Sequence, residues 1–195
     1  MSYQRDTHYR RSIRLSDYDY ASAGIYYITV CTFNREGIFG QIVDGAVRLN
    51  KNGEIARDEW LRTSIIRPNV TLDAFVVMPN HIHMIFHIKN NRRGALHAPC
   101  VDAHCMHPVL TNVDDNGVGE RTHVGAPLRR KSNSVGSIVA GFKSAATKHI
   151  NVYRNTPGQP VWQRNYYEHV IRNDHDLTSI RQYIADNPGK WGNNP

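Results

Sequence analysis

VVMPNHIHMIFHI, Val76 to Ile88, decides how this chain is read. Successive side chains of a strand point to opposite faces. Ile82, Met84, Phe86 and Ile88 therefore line one face, which is wholly apolar, while His81, His83, Ile85 and His87 line the other. The apolar face packs on a core. The other presents two neighbouring imidazoles, close enough to grip one cation. Pro79-Asn80 reads as a turn. Val70 to Met78, with DAFVVM at its centre, reads as the preceding strand, so the histidines sit at the mouth of a hairpin. A single strand histidine is more often a hydrogen-bonded structural residue than a ligand. Two on one face beside a turn shift the balance toward metal, but the third ligand and the reacting group must come from elsewhere in the chain.

The surrounding elements follow from period and punctuation. GIYYITVCTFNR, Gly24 to Arg35, is rich in β-branched and aromatic residues and reads as a strand. IFGQIVDGAVRLN reads as a short hairpin with Gly40 and Gly45 as turn residues. Asn52 to Ile66 reads as a helix that stops before Pro68. Val135, Ile138, Val139, Phe142, Ala146 and Ile150 fall on one face of a helix over Ser134 to Arg154. Gln159 to Ile171 reads as a further extended segment. Asn173 then caps a last helix with Asp174 and Asp176 in its first turn, a stripe of Leu177, Ile180 and Ile184, and an end at Asn187-Pro188. Strand, helix, strand, strand, helix, strand and a terminal helix is an α+β, ferredoxin-like split βαβ order with an extra C-terminal helix.

Length and composition set the outer limits. A chain of 195 residues is expected to be one domain, 1–195, with an insertion. Asn90 to Asn133 loses all sustained period and reads as that insertion, flexible and partly disordered. Within it His97, Cys100, His104, Cys105 and His107 fit no paired Cys-x-x-Cys spacing, and a solvated loop is the simpler reading. Three cysteines, Cys31, Cys100 and Cys105, argue against a disulfide framework. No apolar run approaches the ~20 residues of a membrane span, and the basic N-terminus lacks the apolar core of a signal peptide. A cytoplasmic, nucleoid-associated location is the expectation. A formal charge of +7 and a pI of about 9.5 favour a polyanionic partner, although basic proteins are common.

The last helix carries two further candidates. Tyr183 and Asn187 are four apart and share a helix face, flanking the apolar stripe. The Asn187 amide oxygen can complete a His-His-Asn site and bring the Tyr183 hydroxyl beside it. Position alone is met as well by a tyrosine on the rim of the core and an asparagine ending a helix before proline.

With these residues in view, VVMPNHIHMIF resembles the HUH motif of the single-tyrosine transposases. WQRNYYEHVIRND followed by IRQYIADNPGKW, together with TFNREGIFGQIVDG and SIVAGFKSAATKHIN, resembles their REP-associated tyrosine transposase branch. The resemblance spans most of the chain apart from the N-terminal tail and the insertion. It implies a ferredoxin-like fold, His81, His83 and Asn187 as ligands of Mg²⁺ or Mn²⁺, and Tyr183 as the nucleophile. It implies as partner single-stranded DNA with a hairpin, such as a REP-like element or an insertion-sequence end, handled by a monomer or homodimer. The chemistry implied is cleavage and rejoining through a 5′-phosphotyrosine, which keeps the phosphodiester energy in a covalent intermediate. Imidazole suits Mn²⁺ better than Mg²⁺. Arg129, Arg130, Lys131, Lys143, Lys148, Arg164, Arg172 and Arg181 are candidate phosphate contacts, and Tyr166 and Tyr167 candidate stacking residues and rival nucleophiles.

Other classes fit less well. A histidine-triad hydrolase wants histidines at three alternating positions, but Ile85 takes the third place. A barrel-type metallohydrolase wants ~250 residues. A non-catalytic DNA-binding protein would keep the basic surface with no need of Tyr183, His81 or His83. A replication initiator or relaxase shares the HUH motif, but the C-terminal match favours the transposase branch.

Overall fold

Tyr26, Ile28 and Val30 alternate with Tyr27 and Thr29, and this pattern of branched and aromatic side chains builds a strand with two buried faces, β1 (Gly24–Cys31). The computed structural model describes residues 18–89 and 133–191. The Cys/His cluster of the insertion and Arg129, Arg130 and Lys131 lie outside the described residues. The elements that follow β1 are the hairpin β2 (Gly40–Val43) and β3 (Ala46–Leu49), helix α1 (Lys51–Ile66), β4 (Val70–Val77), β5 (His81–Ile88), α2 (Val135–Arg154), β6 (Tyr167–Ile171) and α3 (Asp174–Asp186).

The main sheet has the order β4-β5-β1-β6, with every neighbouring pair antiparallel. Helices α1 and α2 each connect one strand to a non-adjacent one, so the α+β, ferredoxin-like split βαβ order read from the sequence is the observed fold. Caps fix where the helices begin. The side chains of Asn50, Ser134 and Asn173 accept from the backbone N–H of Gly53, Ser137 and Asp176. The expected extended segment from Gln159 is strand only from Tyr167. Pro157, Gly158 and Pro160 break the ladder, since proline brings no N–H. The earlier stretch is tied down by single bonds, such as Gln163 N–H to Cys31 O at 2.9 Å.

Both faces of the sheet are covered. Ile82, Met84 and Phe86 of β5 join Tyr26, Ile28 and Val30 of β1 under Trp60 of α1 and Phe142 of α2. The rings of Trp60 and Phe86 meet edge to face with centroids 5.7 Å apart. On the opposite face Leu177 and Ile184 of α3 pack over Tyr27, Ile85 and Ile171. Ile85 is fully buried there, which is why an apolar residue stands between His83 and His87.

The hairpin of β2 and β3 closes on Asp44 and Gly45, both at positive φ (53° and 71°), the conformation of a two-residue primed turn. It packs on the short turn Pro188–Lys190 that follows α3. A Cβ added to Gly45 would stand 3.7 Å from the Gly189 Cα.

One polar cluster holds α3 to the sheet. The Arg181 guanidinium donates from Nε to Asp73 Oδ1 at 2.9 Å and from Nη2 to Oδ2 at 2.5 Å, and His87 Nε2 lies 2.9 Å from the same Oδ2. β4 shifts register between Leu72 and Phe75, around Asp73. Arg181 thus binds a carboxylate of its own chain through Nε and Nη2. The Arg181 hydrogen bonds hold the Asp73 carboxyl well below the usual carboxylate range, with His87 and the Ala74 N–H adding to it. A carboxylate whose folded-state pKa is depressed adds stability above its unfolded value of about 3.9 and loses it as pH falls. Asp73→Asn is therefore expected to cost about 1–2 kcal/mol at pH 7, with the gap to the unaltered chain narrowing from pH 5 toward pH 2. Urea unfolding midpoints across that range check it, and a gap that does not change with pH would contradict it.

Candidate active site

β5 and β1 build the site between them, because their antiparallel register sets Thr29 opposite His83 and Cys31 opposite His81. His83 is 4% exposed. Its Nδ1 lies 2.7 Å from Tyr27 Oη and 2.9 Å from Thr29 Oγ1, and Thr29 Oγ1 donates to Tyr27 Oη at 3.1 Å. His81 Nδ1–H donates to Asn80 Oδ1 at 2.7 Å. Each ring is thereby anchored through Nδ1 and turns Nε2 outward, the two Nε2 atoms 2.9 Å apart.

α3 brings the other two groups to the same atom. Tyr183 Oη lies 3.5 Å and Asn187 Nδ2 3.4 Å from His83 Nε2. Tyr183 is 46% exposed and meets the His83 ring edge to face, with centroids 5.2 Å apart. The one-turn spacing of Tyr183 and Asn187 thus places both at the imidazole pair. The rival tyrosines are separated by strand alternation. Tyr166 packs on the core beneath α1 and α2, while Tyr167 lies edge-on to Tyr27 on the site's side of the sheet.

The imidazoles are uncharged at neutral pH. Burial pushes His83 down to about 3, with neighbouring His81 adding to it, and His81 down to about 4, with Arg35 adding to it. Burial also pushes the Tyr27 hydroxyl up to about 12, so it stays a protonated hydrogen-bonding partner.

The donor set fits a divalent ion. Two ligand nitrogens at right angles around an ion, with bonds of ~2.1 Å, are about 3 Å apart, close to the observed 2.9 Å. A half-turn of the Asn187 amide exchanges Nδ2 for Oδ1. Tautomers matter here. When Tyr27 donates to His83 Nδ1, the His83 Nε2–H can donate to His81 Nε2. When Nδ1–H donates to Thr29 or Tyr27, two lone pairs face each other and a cation between them relieves the repulsion. Among the described residues no three His, Cys, Asp or Glu come together, so an ion here would rest on two imidazoles and an amide.

The remaining candidates spread over other surfaces. Lys143, Lys148 and Arg164 line a groove of about 870 Å³ between α2 and the segment leading to β6, and no carboxylate is among the lining residues. Lys143 Nζ donates to the Gln163 carbonyl there, so part of its charge holds the groove together. Arg172 is exposed just beyond β6. Sequence reasoning missed Tyr27, Thr29, Asn80 and Trp191. The signal for Tyr27 and Thr29 was present: both alternate onto one face of a strand that the ferredoxin-like order makes the neighbour of the histidine strand.

No family model matches the sequence. An uncharacterized protein of Haemophilus influenzae is 35% identical over 189 residues, covering 97% of this chain and 93% of the relative. Among solved structures, a REP-associated tyrosine transposase bound to a REP hairpin superposes with a TM-score of 0.52 at 18% identity, over 87% of this chain and 68% of the other. That likeness is one of fold. A protein from Deinococcus radiodurans R1 superposes with a TM-score of 0.40 at 16% identity over 85% of this chain and 91% of that one, too low to add to the argument. No helix among the described residues is long and apolar enough to cross a membrane.

The buried neutral imidazoles make stability depend on pH. Unfolded, both titrate near 6.5; folded, they take up protons only near 4 and 3. Between these values the unfolded chain binds more protons, so stability falls as pH drops from about 6.5 to about 4. In EDTA, the unaltered chain is expected to lose denaturant resistance over that window more steeply than a His81→Asn/His83→Asn double variant. Parallel slopes would mean that the rings titrate normally in the folded state.

Proposed function

The chain belongs to one family with the Haemophilus influenzae protein and has the fold of a REP-associated tyrosine transposase, and we propose that it is a metal-dependent transposase that cuts and rejoins single-stranded DNA near hairpins. One observation carries the reading. His81 Nε2, the Asn187 amide and Tyr183 Oη all lie within 3.5 Å of a single atom, His83 Nε2. A nucleophile, two imidazoles and an amide meeting at one point, on the transposase fold and in a chain of charge +7, suit phosphodiester transfer better than passive binding.

The roles follow from the atoms. His81 and His83, held by Asn80, Tyr27 and Thr29, would carry a divalent ion with the Asn187 amide oxygen. When bound, such an ion, Mg²⁺ or Mn²⁺, neutralises the non-bridging phosphate oxygens and orients the phosphorus. Tyr183 Oη attacks that phosphorus; the Oη–P bond forms as the P–O3′ bond breaks. The DNA is left as a 5′-phosphotyrosine and a free 3′-hydroxyl. The phenolic proton leaves to solvent, which reaches the half-exposed ring, and the departing 3′ oxygen takes a proton from solvent; His83 Nε2, which would hold the ion, is not the base. Rejoining is the reverse attack by a 3′-hydroxyl, and no nucleotide cofactor is consumed. The groove of Lys143, Lys148 and Arg164, with Arg172, supplies phosphate contacts whose strength falls with salt. DNA with a hairpin, whether REP-like or from an insertion-sequence end, is the partner this reading calls for, and it puts the protein in the cytoplasm with the nucleoid.

Three outcomes are expected with a hairpin-bearing single strand and Mn²⁺. The unaltered chain forms a covalent adduct, and peptide mass spectrometry finds the nucleotide on Tyr183. Tyr183→Phe binds the same DNA but forms none. The perfect duplex is spared. An adduct on Tyr167, or one that forms with Tyr183→Phe, would reject Tyr183 as nucleophile.

Metal affinity supplies a separate check. Because both imidazoles stay neutral well below pH 5.5, Mn²⁺ affinity by calorimetry should change by less than about twofold between pH 7.5 and 5.5. Two histidines at the ordinary value of about 6.5 would lose roughly a hundredfold over the same range. His83→Ala should abolish both Mn²⁺ binding and the adduct while DNA affinity is largely retained. Full adduct formation in EDTA would sink the metal assignment.

A further inference from the structure

Four rings run in a row across the site: Trp191, His81, His83 and Tyr183. Their successive centroids are 5.7, 4.5 and 5.2 Å apart. The outer two are open to solvent, Trp191 at 38% and Tyr183 at 46%. Trp191 follows the turn Pro188–Lys190, with its backbone N–H donating to Pro188 O at 3.3 Å, and lies tilted by 34° over the His81 ring. The other two tryptophans, Trp60 and Trp162, are buried. A large aromatic side chain left exposed at the rim of a site that handles DNA has one evident use, because every base has a π-face that stacks on it.

We propose that Trp191 is a substrate-positioning residue whose open face takes an unpaired base next to the phosphate held at His81 and His83. The inference rests on the function proposed above. Consecutive bases of a strand flank the phosphate that joins them. A phosphate at the imidazole pair therefore sends one nucleoside toward Tyr183 and the other toward Trp191. A paired base in a duplex is already stacked on both sides and offers no face. Trp191 thus gives the site a physical basis for choosing single strands that the ion and the tyrosine by themselves lack.

Trp191 also serves as its own reporter, being the exposed one of three tryptophans. The test uses the full chain carrying Tyr183→Phe, so that binding is read without turnover, and a thymidine decamer as the probe. Titration with the decamer should quench a large part of the exposed tryptophan emission, and the same decamer in a duplex should leave it unchanged. Trp191→Ala should weaken decamer affinity by about tenfold. Trp191→Phe should restore most of that loss and Trp191→Leu little of it, which separates stacking from mere covering of His81. Emission unchanged at saturating decamer, or a Leu variant that binds as well as the Phe variant, would overturn the proposal. Quenching in the Tyr183→Phe chain, with no covalent adduct from the chain that keeps Tyr183, would reject the transposase reading and leave the stacking role standing. An adduct formed normally by Trp191→Ala, with no quenching of Trp191 in the chain that keeps it, would do the reverse.

Discussion

The pairing of β5 with β1 is the constraint on which the rest of the site depends. In its register Thr29 faces His83, so Thr29 and Tyr27 can take hold of the His83 ring through Nδ1. That hold aims Nε2 at the point where His81, Tyr183 and Asn187 also arrive. A slip of one residue would turn the histidines to the opposite face and Ile82 and Met84 out of the core. The register is secured by the side chains that carry no chemistry, Tyr26, Ile28 and Val30 against Met84 and Phe86, packed under Trp60 and Phe142. Site and core are thus opposite sides of the same two strands.

The second constraint acts through α3, which buries few residues. Leu177 and Ile184 seat the helix, and the pair of hydrogen bonds from Arg181 to Asp73 fixes its rotation. Since Tyr183 lies two residues beyond Arg181, any roll of the helix carries the hydroxyl away from His83. A small apolar stripe, the Arg181–Asp73 pair and the His169–Asp176 contact thus set where Tyr183 and Asn187 stand.

Much of this could be read from the amino acids because two periodicities are simple. Alternation along HIHMIFHI separated the histidine face from the core face, and the four-residue step from Tyr183 to Asn187 put both on one side of a helix. Element order pointed to the fold, since the rules of strand connection leave a split βαβ order few compact arrangements. Long-range partners were harder. Arg181 read as a candidate phosphate contact, and nothing in the local sequence reveals that Asp73, more than a hundred positions earlier, meets it at a shift of strand register. The stretch before Tyr167 read as strand by composition, while its prolines and glycine turned it into the wall of a groove. Trp191, just past the last helix, had no periodic context at all.

The hairpin of β2 and β3 stands outside the split βαβ pattern and contributes no reactive group. Its tip nevertheless abuts the Pro188–Lys190 turn, glycine against glycine at Gly45 and Gly189. That turn leads from Asn187 to Trp191. The hairpin is therefore a buttress, in mechanical series with the amide and the indole at the mouth of the site. Its length sets how far the end of α3 can settle toward the sheet. The joint is limited by conformation more than by space: a Cβ at Gly45 would meet the Gly189 Cα at an ordinary contact distance of 3.7 Å, but it would have to hold the φ of 71° that the hairpin tip requires, so a substitution there would loosen the buttress from the hairpin side.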